Sequence, residues 1–330
     1  MKNISPVLLV ALLWSCSQPQ PSTESVTDKF QLSDSSIVAK PVNYEYTTKE
    51  SFKVLSWNVE HFVDPYDDPY INNSREDNPS EDLGKKVILL TEALKRADAD
   101  VVVLQEFESE KYLMALARDS FPELDYRFFA AAPSPDWYMN VVLMSRFPLG
   151  VLKSYGDVTT PVPGYLTEEG EKQTQNHLNT RMWSLQVFPA DNYTFWLTGV
   201  HLKAGGGERN SSMRTGQIQF LQSEFQQLLA LDPQVNIMMA GDFNSYLNSS
   251  EIDLLTNIGN SYHLIDTMDS TIMTHTSDQP ERRLDYMLVN PNMAQEQSGS
   301  VNVPYFFSPD SMRMVSDHLP VVGEFYRQDM

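Results

Sequence analysis

Short apolar segments with the composition of β-strands recur from about Tyr44 to the end of this chain, and helical segments separate several of them. Val101-Val102-Val103-Leu104 is apolar at every position, as is typical of a strand buried on both faces. The preceding segment, Glu81 to Ala97, has its apolar residues at helical spacing. Strand and helix units mixed in this way indicate an α/β domain.

The same periodicities predict further strands and helices. Strands are expected at Phe52 to Val59, Asn140 to Ser145, Arg181 to Val187, Tyr193 to His201, Val235 to Ala240, Leu284 to Val289 and Leu319 to Phe325. Helices are expected at Lys111 to Phe121 and Ser212 to Leu231. The turn Pro189-Ala190-Asp191-Asn192 predicts a hairpin between its flanking strands, so the domain includes antiparallel pairing.

The N-terminal segment differs from the rest of the chain. Ile4 to Trp14 is an apolar run of 11 residues, broken only by a serine and a proline. It is too short to cross a bilayer, which takes about 20 residues, and is typical of a signal peptide. Leu13-Trp14-Ser15-Cys16 resembles a bacterial lipobox, which predicts lipidation of Cys16. The alternative is an ordinary secretory signal with an incidental cysteine.

These features predict three regions. Residues 1–15 are expected to be a signal peptide of lipoprotein type, residues 16–43 a flexible tether rich in Ser, Pro, Thr and Gln, and residues 44–330 one folded domain. The protein would then be a membrane-anchored lipoprotein of the cell envelope, facing the periplasm or the exterior. Contact with the membrane is expected only through the lipid anchor, and the chain is expected to be a monomer.

The charge balance restricts the partners. There are 24 Lys and Arg against 44 Asp and Glu, a formal net charge of −20. Such a surface repels nucleic acid and anionic lipid, so a phosphate substrate would need cations at its binding site. The single cysteine excludes a disulfide framework and a cysteine-based zinc site.

Acid, amide and histidine side chains lie at the ends of the predicted strands, where α/β folds place their chemistry. They are Asn58, Glu106, His201, Asp242, Asn244, Asp285, Asp317 and His318. Each alone is readily explained as a turn former or a structural histidine, but together they predict a site. The oxygen ligands suit a hard cation such as Mg²⁺, Mn²⁺ or Ca²⁺, and the two histidines with Asp285 supply acid–base capacity.

Five segments resemble the signature blocks of the endonuclease/exonuclease/phosphatase superfamily, in the same order. They are Ser56-Trp57-Asn58-Val59-Glu60, Leu104-Gln105-Glu106, Gly241-Asp242-Phe243-Asn244, Arg283-Leu284-Asp285-Tyr286 and Ser316-Asp317-His318. Val200-His201-Leu202 is similar to the DNase I and bacterial sphingomyelinase branches. The resemblance covers roughly residues 50–327. It implies a DNase I-like α/β fold, a four-layer α/β/β/α sandwich of two mixed β-sheets packed face to face with outer helices.

The resemblance also implies metal-assisted hydrolysis of phosphate esters, and it assigns roles. The metal ligands would be Asn58, Glu106 and Asp317, for Mg²⁺ or alternatively Mn²⁺ or Ca²⁺. The catalytic residues would be His201, Asp242, Asn244, Asp285 and His318, with either His318 or Asp242 as general base. Asn140, Arg181 and Lys203 are the candidates for contact with the substrate phosphate, while Arg146 and Arg214 are weaker ones.

Other polar features fit none of these blocks. The segment from Asp64 to Asp82 holds seven acids and one arginine, which is either a solvated loop or a structural Ca²⁺ site without EF-hand spacing. His61, His177, His263 and His275 are expected to be structural or surface residues.

The sequence thus predicts a divalent-metal-dependent phosphoesterase that hydrolyses phosphodiester bonds, first of all a nuclease of the cell envelope. The alternative substrates are lipid head groups and small phosphorylated metabolites. A third possibility is a surface lipoprotein that kept the scaffold and binds phosphate without turnover.

Overall fold

The computed structural model describes residues 30–32, 39–132, 137–260 and 262–330. The predicted signal peptide and Cys16 lie outside these residues. The strands, in chain order, are β1 (Phe30–Leu32), β2 (Ala39–Pro41), β3 (Ser51–Phe62), β4 (Val101–Phe107), β5 (Phe128–Ala131), β6 (Asn140–Ser145), β7 (Leu149–Ser154), β8 (Thr160–Leu166), β9 (Lys172–Gln175), β10 (Met182–Ala190), β11 (Tyr193–His201), β12 (Asn236–Asp242), β13 (Ile265–Asp266), β14 (Asp285–Val289) and β15 (Val321–Tyr326).

The helices are α1 (Ser74–Asp77), α2 (Leu83–Ala97), α3 (Glu110–Ser120), α4 (Glu208–Leu231), α5 (Ser250–Thr256), α6 (Pro291–Ala294) and α7 (Pro309–Val315). Single 3-10 turns occur at Pro122–Leu124 and Leu178–Thr180. Within the described ranges, no helix is both long enough and apolar enough to cross a membrane.

Two mixed sheets dominate the described part of the chain. One has five strands in the order β15-β3-β4-β6-β5, and the other has six in the order β13-β14-β12-β11-β10-β7. Each sheet contains one parallel pair, β3 with β4 and β11 with β12. The hairpin predicted around residues 189–192 is confirmed as the antiparallel pair of β10 and β11.

The sheets pack face to face because the central strands are apolar on both sides. In β4, Val101 and Val103 join a core that also contains Leu197 and Met238 of the second sheet. Val102 and Leu104, on the opposite face of the same strand, pack against helices. This alternation explains why the sequence of β4 is continuously apolar.

Helices cover the outer faces of both sheets. Leu90 and Leu94 of α2 pack on the five-stranded sheet. Leu221 and Phe225 of α4 pack on the six-stranded sheet. The predicted four-layer α/β/β/α sandwich is therefore confirmed.

Some strands are not predicted by the sequence patterns. β8 contains two prolines and a glycine, which favour a loop, yet it pairs with β9 against α4. The contact depends on Gly216 of α4, because an added Cβ would lie 2.2 Å from the carbonyl oxygen of Pro161. β1 and β2 pair within the segment predicted as a tether, and Lys40 Nζ lies 2.5 Å from Asp191 Oδ1.

Gly241→Ala is expected to destabilise the protein by about 2–4 kcal/mol, which combines backbone strain with a close contact. Gly241 has φ +147°, and an added Cβ would lie 1.9 Å from the carbonyl oxygen of Val200. Urea unfolding measures the effect. Gly84→Ala is the control, because no atom lies within 4 Å of its added Cβ and the helix gains propensity. Equal midpoints for the two variants would contradict the prediction.

Candidate active site

The site lies at one edge of the sandwich, where both parallel pairs end. Asn58 lies near the end of β3 and Glu106 near the end of β4. On the second sheet, His201 at the end of β11 lies opposite Asp242 at the end of β12. Asn58 Nδ2 donates to Glu106 Oε1 and to Asp242 Oδ2, both at 3.1 Å. This amide therefore joins the two sheets at the site.

Two further segments reach the same edge by antiparallel pairing. Asp285 at the start of β14 pairs with Asp242. The segment before β15 returns beside β3, where Ser316 Oγ donates to the carbonyl of Asn58 at 2.6 Å. Trp57 Nε1 donates to the carbonyl of His318 at 2.9 Å. The backbone of His318 is thus fixed by strand β3.

His318 and Asp285 form a buried pair. His318 Nδ1 lies 2.8 Å from Asp285 Oδ2, and its Nε2 lies 3.8 Å from Asp242 Oδ2. Burial opposes the charged imidazole, but Asp285 and Asp242 together raise the pKa of His318 to about 10. The ring therefore tends to hold its proton, with Nε2 directed towards the other site carboxylates.

Asp242 is approached by both histidines. His201 Nε2 lies 3.8 Å from the same Oδ2 atom and 3.6 Å from Glu106 Oε1. Burial raises the pKa of Asp242, and burial lowers the pKa of His201. Asn244 donates its backbone N–H to Asp242 Oδ1 at 2.8 Å and its Nδ2 to Oδ2 at 3.2 Å. Asp242 is therefore a central, oriented carboxylate with a heightened affinity for a proton.

Glu106 is held in an unusual backbone conformation. Its φ of +57° is left-handed, which costs a glutamate on the order of 1–3 kcal/mol. Burial opposes its charge, but His201, His61 and the hydrogen bond from Asn58 hold the pKa of Glu106 below its usual value. Asn58 Oδ1 accepts from the Glu60 N–H at 3.0 Å. The Nδ2 group of Asn58 therefore donates to Glu106, while the Oδ1 atom of Asn58 faces away from Glu106.

Asp317 contacts His275, a histidine that the sequence patterns do not place at the site. His275 Nε2 lies 3.3 Å from Asp317 Oδ2, and its Nδ1 lies 2.8 Å from Arg282 Nη2. Burial opposes the charge of Asp317, but His275 and His318 lower the pKa of Asp317 to about 2. His275 was expected to be structural or on the surface, and the structure places it beside Asp317. It reaches the site because it bridges to the backbone of His318.

His61, expected to be a structural or surface residue, lies at the edge of the site beside Glu106. Its Nδ1 lies 3.5 Å from Glu106 Oε2 and 2.9 Å from the Tyr138 hydroxyl. Arg75 contacts the other ring nitrogen, Nε2. The His61 ring therefore lies between Arg75 and the Glu106 carboxylate. His61 is only three residues past Asn58, and this spacing could have indicated its proximity.

The site is rich in carboxylates, and their charged neighbours are histidines. Four carboxylates form ion pairs with histidines: Glu106, Asp242, Asp285 and Asp317. Among the described residues, no Lys or Arg lies within 4.0 Å of any of them. Among the described residues of the site, two groups of three could hold a metal ion: His275 with Asp317 and His318, and Asp242 with Asp285 and His318. The donor set therefore fits a divalent cation.

The basic candidates differ in whether they are free. Arg146 is paired with Asp98 and Asp100, and Arg214 with Glu251. In the part of the chain that the structure describes, Arg181 is the arginine whose guanidinium makes no hydrogen bond or ion pair, although it acts electrostatically on Glu106 and Asp242.

A cavity of about 690 Å³ lies beside Arg181 and is lined also by Lys203, Trp137 and Tyr70. Asn140, the third predicted phosphate contact, is buried, and its Nδ2 donates to the carbonyls of Glu108 and Trp137. Both of its amide hydrogens are therefore used within the protein, so Asn140 has none left for a phosphate.

The sequence matches the Endonuclease/Exonuclease/phosphatase family over residues 55–318, and no curated protein matches it. An endonuclease/exonuclease/phosphatase from Beutenbergia cavernae DSM 12333 is 20% identical, with a TM-score of 0.55 over 84% of this chain and 72% of its own. The human Nocturnin catalytic domain is 17% identical, with a TM-score of 0.54 over 85% and 96%. ANGEL2, a 2',3'-cyclic phosphatase, is 16% identical, with a TM-score of 0.53 over 86% and 97%. Since the match includes every strand-end residue of the site, the chain belongs to the Endonuclease/Exonuclease/phosphatase family.

Proposed function

We propose that this chain is a divalent-metal-dependent hydrolase of phosphodiester bonds. Membership of the family supports a hydrolase that acts on phosphate esters. The observation that carries the proposal is the group of four site carboxylates that have no Lys or Arg within 4.0 Å among the described residues. Near them lies Arg181, whose guanidinium makes no hydrogen bond or ion pair in the same part of the chain. The carboxylates can bind a cation, and the guanidinium can bind an anion such as phosphate.

Glu106 and Asp317 are the carboxylates that would hold the metal. Asn58 would join them through its amide oxygen once the amide turns, because that oxygen now accepts from the Glu60 N–H. A bound divalent cation offsets the negative charge that develops on the phosphoryl oxygens during hydrolysis. The low pKa of Glu106 and of Asp317 keeps both carboxylates charged at neutral pH, as ligands must be.

The protein residues divide the proton chemistry between them. Asp285 keeps the proton on His318, so His318 is suited to donate a hydrogen bond to a phosphoryl oxygen. Asp242, whose pKa is raised by burial, is suited to accept the proton of the attacking water. This geometry favours Asp242 as general base. Neutral His201 lies within reach of the same carboxylate and can donate to the phosphate or to the leaving group.

Nucleic acid is the first substrate class that we propose, which makes the protein a nuclease. The net charge of −20 opposes long duplexes, so short or single-stranded substrates fit better. The cavity beside Arg181 favours a second candidate, a small phosphorylated compound, because about 690 Å³ accommodates a compact organic group next to the phosphate.

Hydrolysis of bis(p-nitrophenyl) phosphate by the full-length protein in detergent tests the proposal. We expect turnover with Mg²⁺ or Mn²⁺ that EDTA abolishes. A screen of DNA, RNA, phospholipids and small phosphate esters then separates the substrate classes. Binding of phosphate without turnover on any of them would contradict the proposal and favour a non-catalytic lipoprotein.

Arg181→Met is expected to raise KM about tenfold or more and to change kcat less, because a charge-assisted contact to the phosphate is lost in both the ground and transition states. Steady-state kinetics on the diester substrate measure this. Arg118→Met is the matched control, since Arg118 is an exposed arginine that pairs with the neighbouring Asp119. An unchanged KM in Arg181→Met would show that Arg181 does not bind the phosphate.

We also propose that the protein is anchored in the cell envelope through Cys16. The apolar leader and the segment Leu13-Trp14-Ser15-Cys16 support this. Labelling with a radioactive fatty acid tests it, and Cys16→Ala should abolish both the label and the recovery of the protein in the membrane fraction. Equal labelling of Cys16→Ala would contradict the anchor.

A further inference from the structure

An acidic cluster lies outside the active site, in the segment that joins β3 to α2. One oxygen each of Asp67, Glu76 and Asp77 lies within 4.8 Å of the other two. Asp67 is exposed and Asp77 is half-buried, so the cluster is open to solvent on one side. A group of acids alone does not make a site, and the burial of Glu76 is the decisive second observation.

Glu76 is 0% exposed although it carries a carboxylate. Its Oε1 accepts the backbone N–H of Asp68 at 2.7 Å. Its Oε2 is buried and has no hydrogen-bond partner among the described residues. A buried carboxylate oxygen without a partner is costly, and the cost is relieved when a cation binds it.

No basic side chain compensates this charge. Asp64, Asp68 and Glu108 lie close enough to act electrostatically on one another or on Glu76. Over the described ranges, none of these acids has a Lys, Arg or His within 4.0 Å. Arg75 is adjacent in sequence, but its guanidinium contacts His61. Burial and the neighbouring acids raise the pKa of Glu108 to about 7, which reflects the same excess of negative charge.

We propose that Asp67, Glu76 and Asp77 bind a Ca²⁺ ion. The donors are carboxylate oxygens only, which are hard ligands. They come from an irregular loop and one short helix, and Ca²⁺ accepts such variable geometry, whereas Mg²⁺ requires a near-octahedral arrangement. The ion would be structural, because the catalytic histidines and carboxylates belong to other segments.

The ion would also stabilise one wall of the active-site region. The loop that it closes carries Tyr70, which lines the cavity beside Arg181. The same loop leads into Arg75, which contacts His61 next to Glu106. Calcium is therefore expected to order the substrate side of the site without taking part in the reaction.

Thermal unfolding of the full-length protein in detergent, after EDTA treatment and back-titration with Ca²⁺, tests the proposal. At 100 times the Kd, the melting temperature should rise by about 5 °C. The rise should persist in Glu106→Gln, which alters the catalytic site, and should be lost in Glu76→Gln. Without Ca²⁺, Glu76→Gln should melt at a higher temperature than the wild type, because an unpaired buried charge is removed.

Two further variants keep the test decisive. Asp77→Asn, at a half-buried position, should bind Ca²⁺ at least tenfold more weakly by calorimetry even if Glu76→Gln fails to fold. Glu81→Gln, an exposed acid of the same segment, should respond to Ca²⁺ like the wild type. The proposal is overturned if Glu106→Gln shows no rise with Ca²⁺, if the rise survives when Asp77→Asn is added to Glu106→Gln, or if equal Mg²⁺ produces the same rise in Glu106→Gln.

Discussion

Replacement of His318 by alanine is expected to lower kcat on a phosphodiester substrate by about 10²–10⁴-fold, the range that a positioned acid–base group contributes. The imidazole is held by Asp285 at 2.8 Å and lies 3.8 Å from Asp242. Alanine removes the proton donor and leaves both carboxylates without their cationic neighbour. Steady-state kinetics at saturating metal measure the effect, which should fall mainly on kcat.

Two variants separate chemistry from folding in this experiment. Asp285→Asn keeps the ring but removes the anion, so it should lower the pKa of His318 in an NMR titration and reduce kcat less than His318→Ala. His263→Ala is the matched control, because in the described part of the chain the His263 ring bonds to its local backbone at Asn260. If His318→Ala retained a third or more of the wild-type kcat, His318 would have no catalytic role.

Sequence patterns predict the central strands well for a physical reason. Strands of this sandwich are buried on both faces, so their apolar runs are continuous and end where the chain leaves the core. β6 and β11 occupy the predicted residues, and β4 extends the predicted run to Phe107. Part of the site follows from the same logic, because Asn58, His201 and Asp242 come directly after apolar residues of their strands, whereas Asp285 begins its strand.

Residues that reach the site by other routes could not be predicted in this way. His275 follows no apolar run, and it joins the site only because its loop bridges to His318. The buried state of Glu76 is equally hidden, since its sequence neighbours are Arg75 and Asp77 and suggest a solvated turn. In both cases the residue is placed by contacts with residues outside its immediate sequence neighbourhood, and the local sequence pattern does not show such contacts.

The basic residues show the same limit. Arg146, Arg181 and Arg214 are all sequence candidates for a phosphate ligand, with Arg181 ahead of the other two. Arg214 is occupied by Glu251, 37 positions away, and Arg146 by Asp98 and Asp100. Only the tertiary structure shows which guanidinium is left free for substrate. The distinction rests on acids that are distant in sequence, so periodicity carries no information about it.

Glu106→Ala is expected to lower metal-dependent turnover by about 10³-fold or more, because several kcal/mol of transition-state stabilisation depend on the metal that this carboxylate would hold. Glu106 is suited to that role by its low pKa and by histidine partners in place of a Lys or Arg. The kinetics should be paired with a calorimetric titration of Mg²⁺ or Mn²⁺, in which the variant binds at least tenfold more weakly.

Glu168→Ala, an exposed loop acid, is the control and should match the wild type in both measurements. Unchanged metal affinity with lost turnover would assign Glu106 to positioning His201 and His61, while unchanged turnover would remove Glu106 from the mechanism. A stability measurement without metal completes the argument. Alanine at this position keeps the left-handed φ and removes the acceptor of the Asn58 amide and of the His61 N–H, so a loss of about 1–3 kcal/mol is expected in the metal-free protein. A fall in turnover far beyond this loss of stability would show that Glu106 is retained for its ligand.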